Sequence, residues 1–291
     1  VAAGNIFMGM TESPVLIKNY LPTMNRSEIF LVMVSGMGTI AGSVMGTYIG
    51  MLGGTDPAAK VLFATHLLSA SVMAVPGSIV LAKMLCPQTE EATDHVAISG
   101  KEKENSNILD AISSGTVTGV KLMTNIAAML LVFISLVALA NYITEGVIGR
   151  YTGLNDWIVK ITDGKAQGLT FQFILGVITS PFMWLIGVPS QDIMLVGSLL
   201  GQKTILNEFV AYFQLQQWKD AGLFMYEKSI LMSTYILCGF ANISSIGILL
   251  GGLGVLAPEK RGLISRIGVP AMIGGALVSV LSATIIGMIL G

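Results

Sequence analysis

Apolar residues fall along this chain in long unbroken blocks, not in the short periodic stripes of a soluble fold. Five blocks contain no Asp, Glu, Lys or Arg: 29–55, 61–82, 122–144, 229–258 and 267–291. Crossing a hydrocarbon core about 30 Å thick takes roughly 20 helical residues, so each block is predicted to be a membrane helix. Pro76 lies inside the second and predicts a kink. A further charge-free run, 166–191, is interrupted by Pro181 and by Gly187-Val188-Pro189, and reads as a sixth crossing or as a broken segment near the interface. From Asn107 to Ile148 one helical pattern is polar at first and then apolar, too long for one straight crossing, so part of it is expected along the interface. Stretch 88–106 reads as a solvated loop, and 145–165 as a loop or surface helix.

Composition agrees with that pattern. Hydrophobic residues make up 53% of the chain and charged residues only 11%, against about 25% charged in soluble domains. A soluble enzyme or a nucleic-acid binder is thereby excluded. The 16 basic and 17 acidic residues leave no basic footprint for nucleic acid. Cys86 and Cys238 suggest neither a disulfide framework nor a metal site, and the isolated His66 and His95 read as structural. With Val1 first and no signal peptide visible, the chain reads as a piece whose upstream part is absent.

Two acids stand among small and apolar neighbours, Glu12 in Gly9-Met10-Thr11-Glu12-Ser13-Pro14 and Glu208 in Leu206-Asn207-Glu208-Phe209-Val210-Ala211-Tyr212. An ionisable group at membrane depth is kept where it binds something or faces water. Each is followed by a glycine-rich polar interruption of an apolar block, Gly36-Met37-Gly38-Thr39-Ile40-Ala41-Gly42-Ser43 and Gly239-Phe240-Ala241-Asn242-Ile243-Ser244-Ser245. Such interruptions free backbone carbonyls and N–H groups that an ion or polar solute can satisfy. Small-residue helix packing is the bland alternative for one copy alone. The chain thus reads as two copies of one plan. Three crossings between the acids make the repeat inverted, provided that 166–191 does not cross.

These residues resemble a known family. Gly4-Asn5-Ile6-Phe7-Met8-Gly9-Met10-Thr11-Glu12-Ser13-Pro14, Gly187-Val188-Pro189, Gly197-Ser198-Leu199-Leu200-Gly201-Gln202-Lys203, Asn207-Glu208-Phe209-Val210-Ala211-Tyr212 and Cys238-Gly239-Phe240-Ala241-Asn242 are together similar to the concentrative nucleoside transporters. The resemblance implies an all-α polytopic membrane protein with two re-entrant helical hairpins and two interrupted helices in an inverted repeat, working as a homotrimer. The implied division is 1–24, the incomplete first hairpin and its connection; 25–86, an interrupted helix plus a transmembrane helix; 87–106, a polar loop; 107–165, a long scaffold helix and surface loop; 166–228, an interfacial segment and the second hairpin; and 229–291, an interrupted helix plus the C-terminal helix.

By the same resemblance Met10, Thr11, Glu12, Val44 and Phe240 would face the nucleobase, and Glu208, Asn242 and Ser245 the ribose hydroxyls. Sodium would be held by Asn5 and Thr39 with the carbonyls of Met8 and Ile40. An ionised carboxylate accepts strongly from vicinal hydroxyls, and a flat ring suits a base. The family usually has glutamine where Met10 stands, which leaves base preference open. The implied activity is cation-coupled nucleoside symport, most directly with Na+, without a cofactor, in a multi-pass protein of the plasma (inner) membrane of a bacterium. Proton coupling through Glu12 or Glu208, a non-transporting nucleoside-recognition or gate subunit, and an intramembrane enzyme using the two glutamates remain as alternatives. Covalent catalysis is not expected, since no His accompanies a nucleophile motif.

Overall fold

The computed structural model describes residues 1–90, 107–162, 164 and 166–291, which are helical without a strand. It divides into two compact units, Val1–Val96 with Gln172–Gly291, and Ala97–Phe171.

In the first unit two 3-10 turns, Gly4–Ile6 and Ser13–Ile17, lead to α1 (Arg26–Gly38). Asn25 starts α1 through a reciprocal cap: its Oδ1 accepts the Glu28 N–H at 3.0 Å, and its own N–H reaches Glu28 Oε2 at 2.9 Å. Helix stops at Gly38 and resumes as α2 (Gly42–Gly53), with Thr39 and Ala41 extended between them. Block 29–55 is therefore a broken helix, interrupted where the glycines predict. After it comes α3 (Pro57–Leu85), capped by Asp56 and carrying Pro76.

The second unit begins with α4 (Ile108–Asn141), whose cap Asn107 accepts the Asp110 N–H at 2.9 Å. A π-helical stretch, Tyr142–Gly149, continues into α5 (Arg150–Thr152) and α6 (Leu154–Ile161). Block 122–144 thus falls on helix, and most of 145–165 is helical. Asn155 ties this unit together by donating to the Glu145 carbonyl at 3.0 Å and accepting the Leu169 N–H at 2.9 Å.

The remaining helices return to the first unit. α7 (Phe171–Leu185) ends before Gly187, whose φ of 84° only glycine adopts freely. Its 15 residues measure about 22 Å, short of a hydrocarbon core. α8 (Ile193–Ile205) and α9 (Glu208–Asp220) fold back on each other through Leu206 and Asn207. The fully buried Asp192 accepts the N–H groups of Met225 at 3.0 Å and Tyr226 at 3.1 Å, tying the start of α8 to the stretch after α9. Block 229–258 is broken as well, into α10 (Glu227–Leu237) and α11 (Ile243–Leu256). The long α12 (Arg261–Ile289) packs on α1, α3, α10 and α11.

Three described stretches are long and apolar enough to cross a membrane: Arg26–Gly53, Pro57–Leu85 and Pro258–Ile289. They coincide with blocks 29–55, 61–82 and 267–291. Cys86 and Cys238 are free thiols, and His66 Nδ1 lies 3.1 Å from the Tyr235 hydroxyl. His95, like 91–106 of the loop, lies outside the described residues.

Candidate functional site

The second helix break gathers the polar groups. Asn242 caps α11, its Oδ1 accepting the Ser245 N–H at 2.9 Å and the hydroxyls of Ser244 and Ser245 at 2.6 and 3.1 Å. That fixes the amide, so Nδ2 points the other way and donates to Glu208 Oε2 at 3.1 Å. Glu208 is the first residue of α9, where unpaired N–H groups and the helix dipole favour a carboxylate. Its other oxygen accepts the Tyr48 hydroxyl at 3.2 Å. Only 8% of Glu208 is exposed. Tyr48 stacks on Tyr212 with ring centroids 4.2 Å apart, and the Tyr212 hydroxyl donates to the Thr234 carbonyl at 2.8 Å. The structure therefore brings Glu208, Asn242 and Ser245 into one buried network. Val44, one helical turn before Tyr48, and Phe240 are both partly buried beside it, and Phe240 also touches the second apolar core.

The first break is built against the N-terminal turn. Asn5 is buried; its carbonyl accepts the Thr39 hydroxyl at 3.3 Å and its Nδ2 donates to Ser35 Oγ at 3.2 Å. Its Oδ1 is buried without a hydrogen-bond partner, a destabilising state that a donor or a hard cation relieves. The Phe7 carbonyl accepts the Gly42 N–H at 3.1 Å, so the turn holding the partly buried Met8 lies directly on the break. Ile40 is fully buried beside Thr39. The two breaks meet: the Phe240 N–H donates to the Thr39 carbonyl at 3.2 Å. Among the described residues no three His, Cys, Asp or Glu side chains cluster as a metal site.

The remaining candidates sit at the tip of the first turn. Met10 is 8% exposed and belongs to an apolar cluster; a Cβ on Gly36 of α1 would lie 3.0 Å from its Cβ. Thr11 lies on α11, where a Cβ on Gly252 would come within 2.9 Å of its Cγ2. Glu12 differs from Glu208. It is exposed, its carboxylate folds over Gly9, and no hydrogen bond joins it to the Glu208 network.

A family model described as Na+ dependent nucleoside transporter C-terminus matches residues 66–287. The chain belongs to this family. An uncharacterized transporter of Haemophilus influenzae is 40% identical over 100% of the chain and 65% of its own length. Sodium/nucleoside cotransporter 1 of Rattus norvegicus is 39% identical over 99% of the chain and 43% of its own. A solved structure of CNTnw in an inward-facing substrate-bound state superposes with a TM-score of 0.84 at 37% identity, covering 99% of this chain and 63% of that one. The chain thus spans less than two thirds of each. The family is one of membrane transporters, not of enzymes.

Two polar residues next to the site were not singled out from the sequence. Tyr48 supplies a donor to Glu208, and Lys203, part of the Gly197–Lys203 string, is fully buried behind the second break. The depth of Lys203 was legible as a lone charge between apolar stretches; the aim of Tyr48 was not.

Proposed function

We propose that this chain supplies the substrate- and ion-binding core of a Na+-coupled secondary active symporter of nucleosides. The observation that carries the reading is the buried Glu208–Asn242–Ser245 network at one helix break, hydrogen-bonded through Phe240 to the break that holds Asn5 and Thr39. Glu208, Asn242 and Ser245 bind the ribose hydroxyls, for which an ionised carboxylate is the strongest acceptor a protein offers. Phe240 and Val44 present apolar surface to the base, with Thr11 and Glu12 of the first turn completing that end. Met10 contributes an apolar wall in place of an amide, so the base edge is read less there.

Sodium binds at the first break through Asn5, Thr39 and the carbonyls of Met8 and Ile40. The unpaired Asn5 Oδ1 supports sodium over a proton, because a hard cation uses neutral oxygens that a proton carrier does not need. The architecture we infer has two re-entrant hairpins in an inverted repeat. In support, α8 and α9 of the second hairpin have 13 residues each, about 20 Å, too short to cross. With α7 too short to cross and block 122–144, mostly on α4, taken as a crossing beside Arg26–Gly53 and Pro57–Leu85, three crossings separate the two acids, an odd number. The assembly is a homotrimer in a multi-pass arrangement, and the identity to a Haemophilus protein supports a bacterial plasma membrane.

The test is uptake of labelled uridine and adenosine into proteoliposomes holding the complete protein. Accumulation driven by an inward sodium gradient is expected; accumulation driven by a pH gradient in sodium-free buffer would replace sodium with the proton. Chemical conversion of the nucleoside would point to the enzyme reading, and binding without uptake to the gate subunit.

A further inference from the structure

We propose that the second helix break contains a monovalent-cation site of its own, which the protein fills with the ammonium group of Lys203. A half-helix ends at Leu237; the N–H groups of Cys238 and Gly239 go to the Tyr235 and Leu237 carbonyls, and the Phe240 N–H goes to Thr39, which leaves the Ile236 carbonyl to another donor. The negative end of the helix dipole adds to the demand for positive charge there. Lys203 reaches this point from α8, donating to the Ile236 carbonyl at 2.7 Å and to Ser279 Oγ at 3.1 Å. Ser279 of α12 in turn donates to the Cys238 carbonyl at 3.2 Å. The charge is held by one carbonyl and one hydroxyl, with the Cys238 carbonyl behind the hydroxyl.

Both direct partners are neutral oxygens, and Lys203 is fully buried. Stripping water from an ammonium is strongly unfavourable, so a lysine needed only for its stem would be better replaced by Leu or Met. The first break shows the complementary state: an unpaired Asn5 Oδ1 and no ammonium beside it. Under the proposed function the first break offers its oxygens to a free cation; the second carries a tethered one. Removing the Lys203 side chain then uncovers a pocket for a small free cation, either Na+ or methylammonium.

The experiment reads thermal stability, not uptake, so it stands apart from the transport reading. Wild type, Lys203→Ala and Lys203→Met of the complete protein in detergent are melted in choline chloride, sodium chloride and methylammonium chloride. Lys203→Ala is expected to melt lower than wild type in choline. Added methylammonium or sodium should then raise its Tm saturably, by about 3 °C or more beyond any rise in wild type. Lys203→Met, whose side chain blocks the pocket, should show no such extra rise. An Ala variant that melts like wild type in choline, or gains no more from either cation than wild type does, overturns the assignment. If Lys203→Ala does not fold, reductive methylation of wild type decides. Lys203 staying unmodified with and without sodium and uridine, while the exposed Lys60 is methylated, upholds a permanently held ammonium. Methylation of Lys203 at the rate of Lys60 refutes it.

Discussion

The Tyr48 hydroxyl donates to Glu208 Oε1 at 3.2 Å, and so occupies the carboxylate that accepts from ribose under the proposed function. Under that reading Tyr48 competes with the sugar for the carboxylate. A hydrogen bond to a charged group is worth about 1.5–3 kcal/mol, and the incoming ribose must exchange it. Tyr48→Phe removes the competitor and keeps the stacking on Tyr212. We expect the KM for uridine to fall by about three- to tenfold, which is about 0.7–1.4 kcal/mol. A KM equal to that of wild type would show that Tyr48 keeps its bond with substrate present.

Glu208→Gln keeps the shape and the contact with Asn242 but replaces an ionised acceptor with an amide. Losing two charge-assisted hydrogen bonds to ribose costs about 3 kcal/mol or more, a drop in uridine affinity of at least a hundredfold. Calorimetric titration of the purified protein and uptake in proteoliposomes both check this. Wild-type uptake in the variant would remove Glu208 from the site.

Asn5→Ala deletes the unpaired Oδ1 and the bond to Ser35. The sodium concentration for half-maximal uptake should rise about tenfold, with most of the maximal rate recovered at high sodium. Uptake measured across a sodium series distinguishes this from a general loss of fold, in which added sodium restores nothing.

Gly239→Ala tests the crossing of the two breaks. The new Cβ would lie 2.7 Å from Ser279 Oγ and 2.9 Å from the Met37 carbonyl. Overpacking of this kind costs about 1–3 kcal/mol. A lowered Tm in detergent is expected, whereas Gly247→Ala on α11, where a Cβ meets nothing within 4 Å, should be tolerated.

Much of this was legible in the sequence because charge is so costly in a membrane protein. The charge-free blocks marked the helices, and the polar glycine-rich stretches marked both breaks to within a few residues. Glu208 stood out as an acid among apolar neighbours and the stretch Gly239–Ser245 as a polar interruption, while the separate parts of Asn242 and Ser245 came from the family resemblance alone. Two features were not legible, for a physical reason. Tyr48 meets Glu208, and Lys203 meets Ser279, only because α2, α8, α9 and α12 pack together, and local pattern carries no record of that. The two acids looked alike in sequence yet differ in setting. Glu208 is the buried first residue of α9, while Glu12 is exposed and its carboxylate lies over Gly9, which leaves room for it.

Asp192 holds the start of α8 and the chain just after α9 with the two oxygens of one carboxylate. Both feet of that helical pair stand on a single side chain. A single carboxylate therefore sets how far apart those two feet can stand, as a rivet does for a pair of shears.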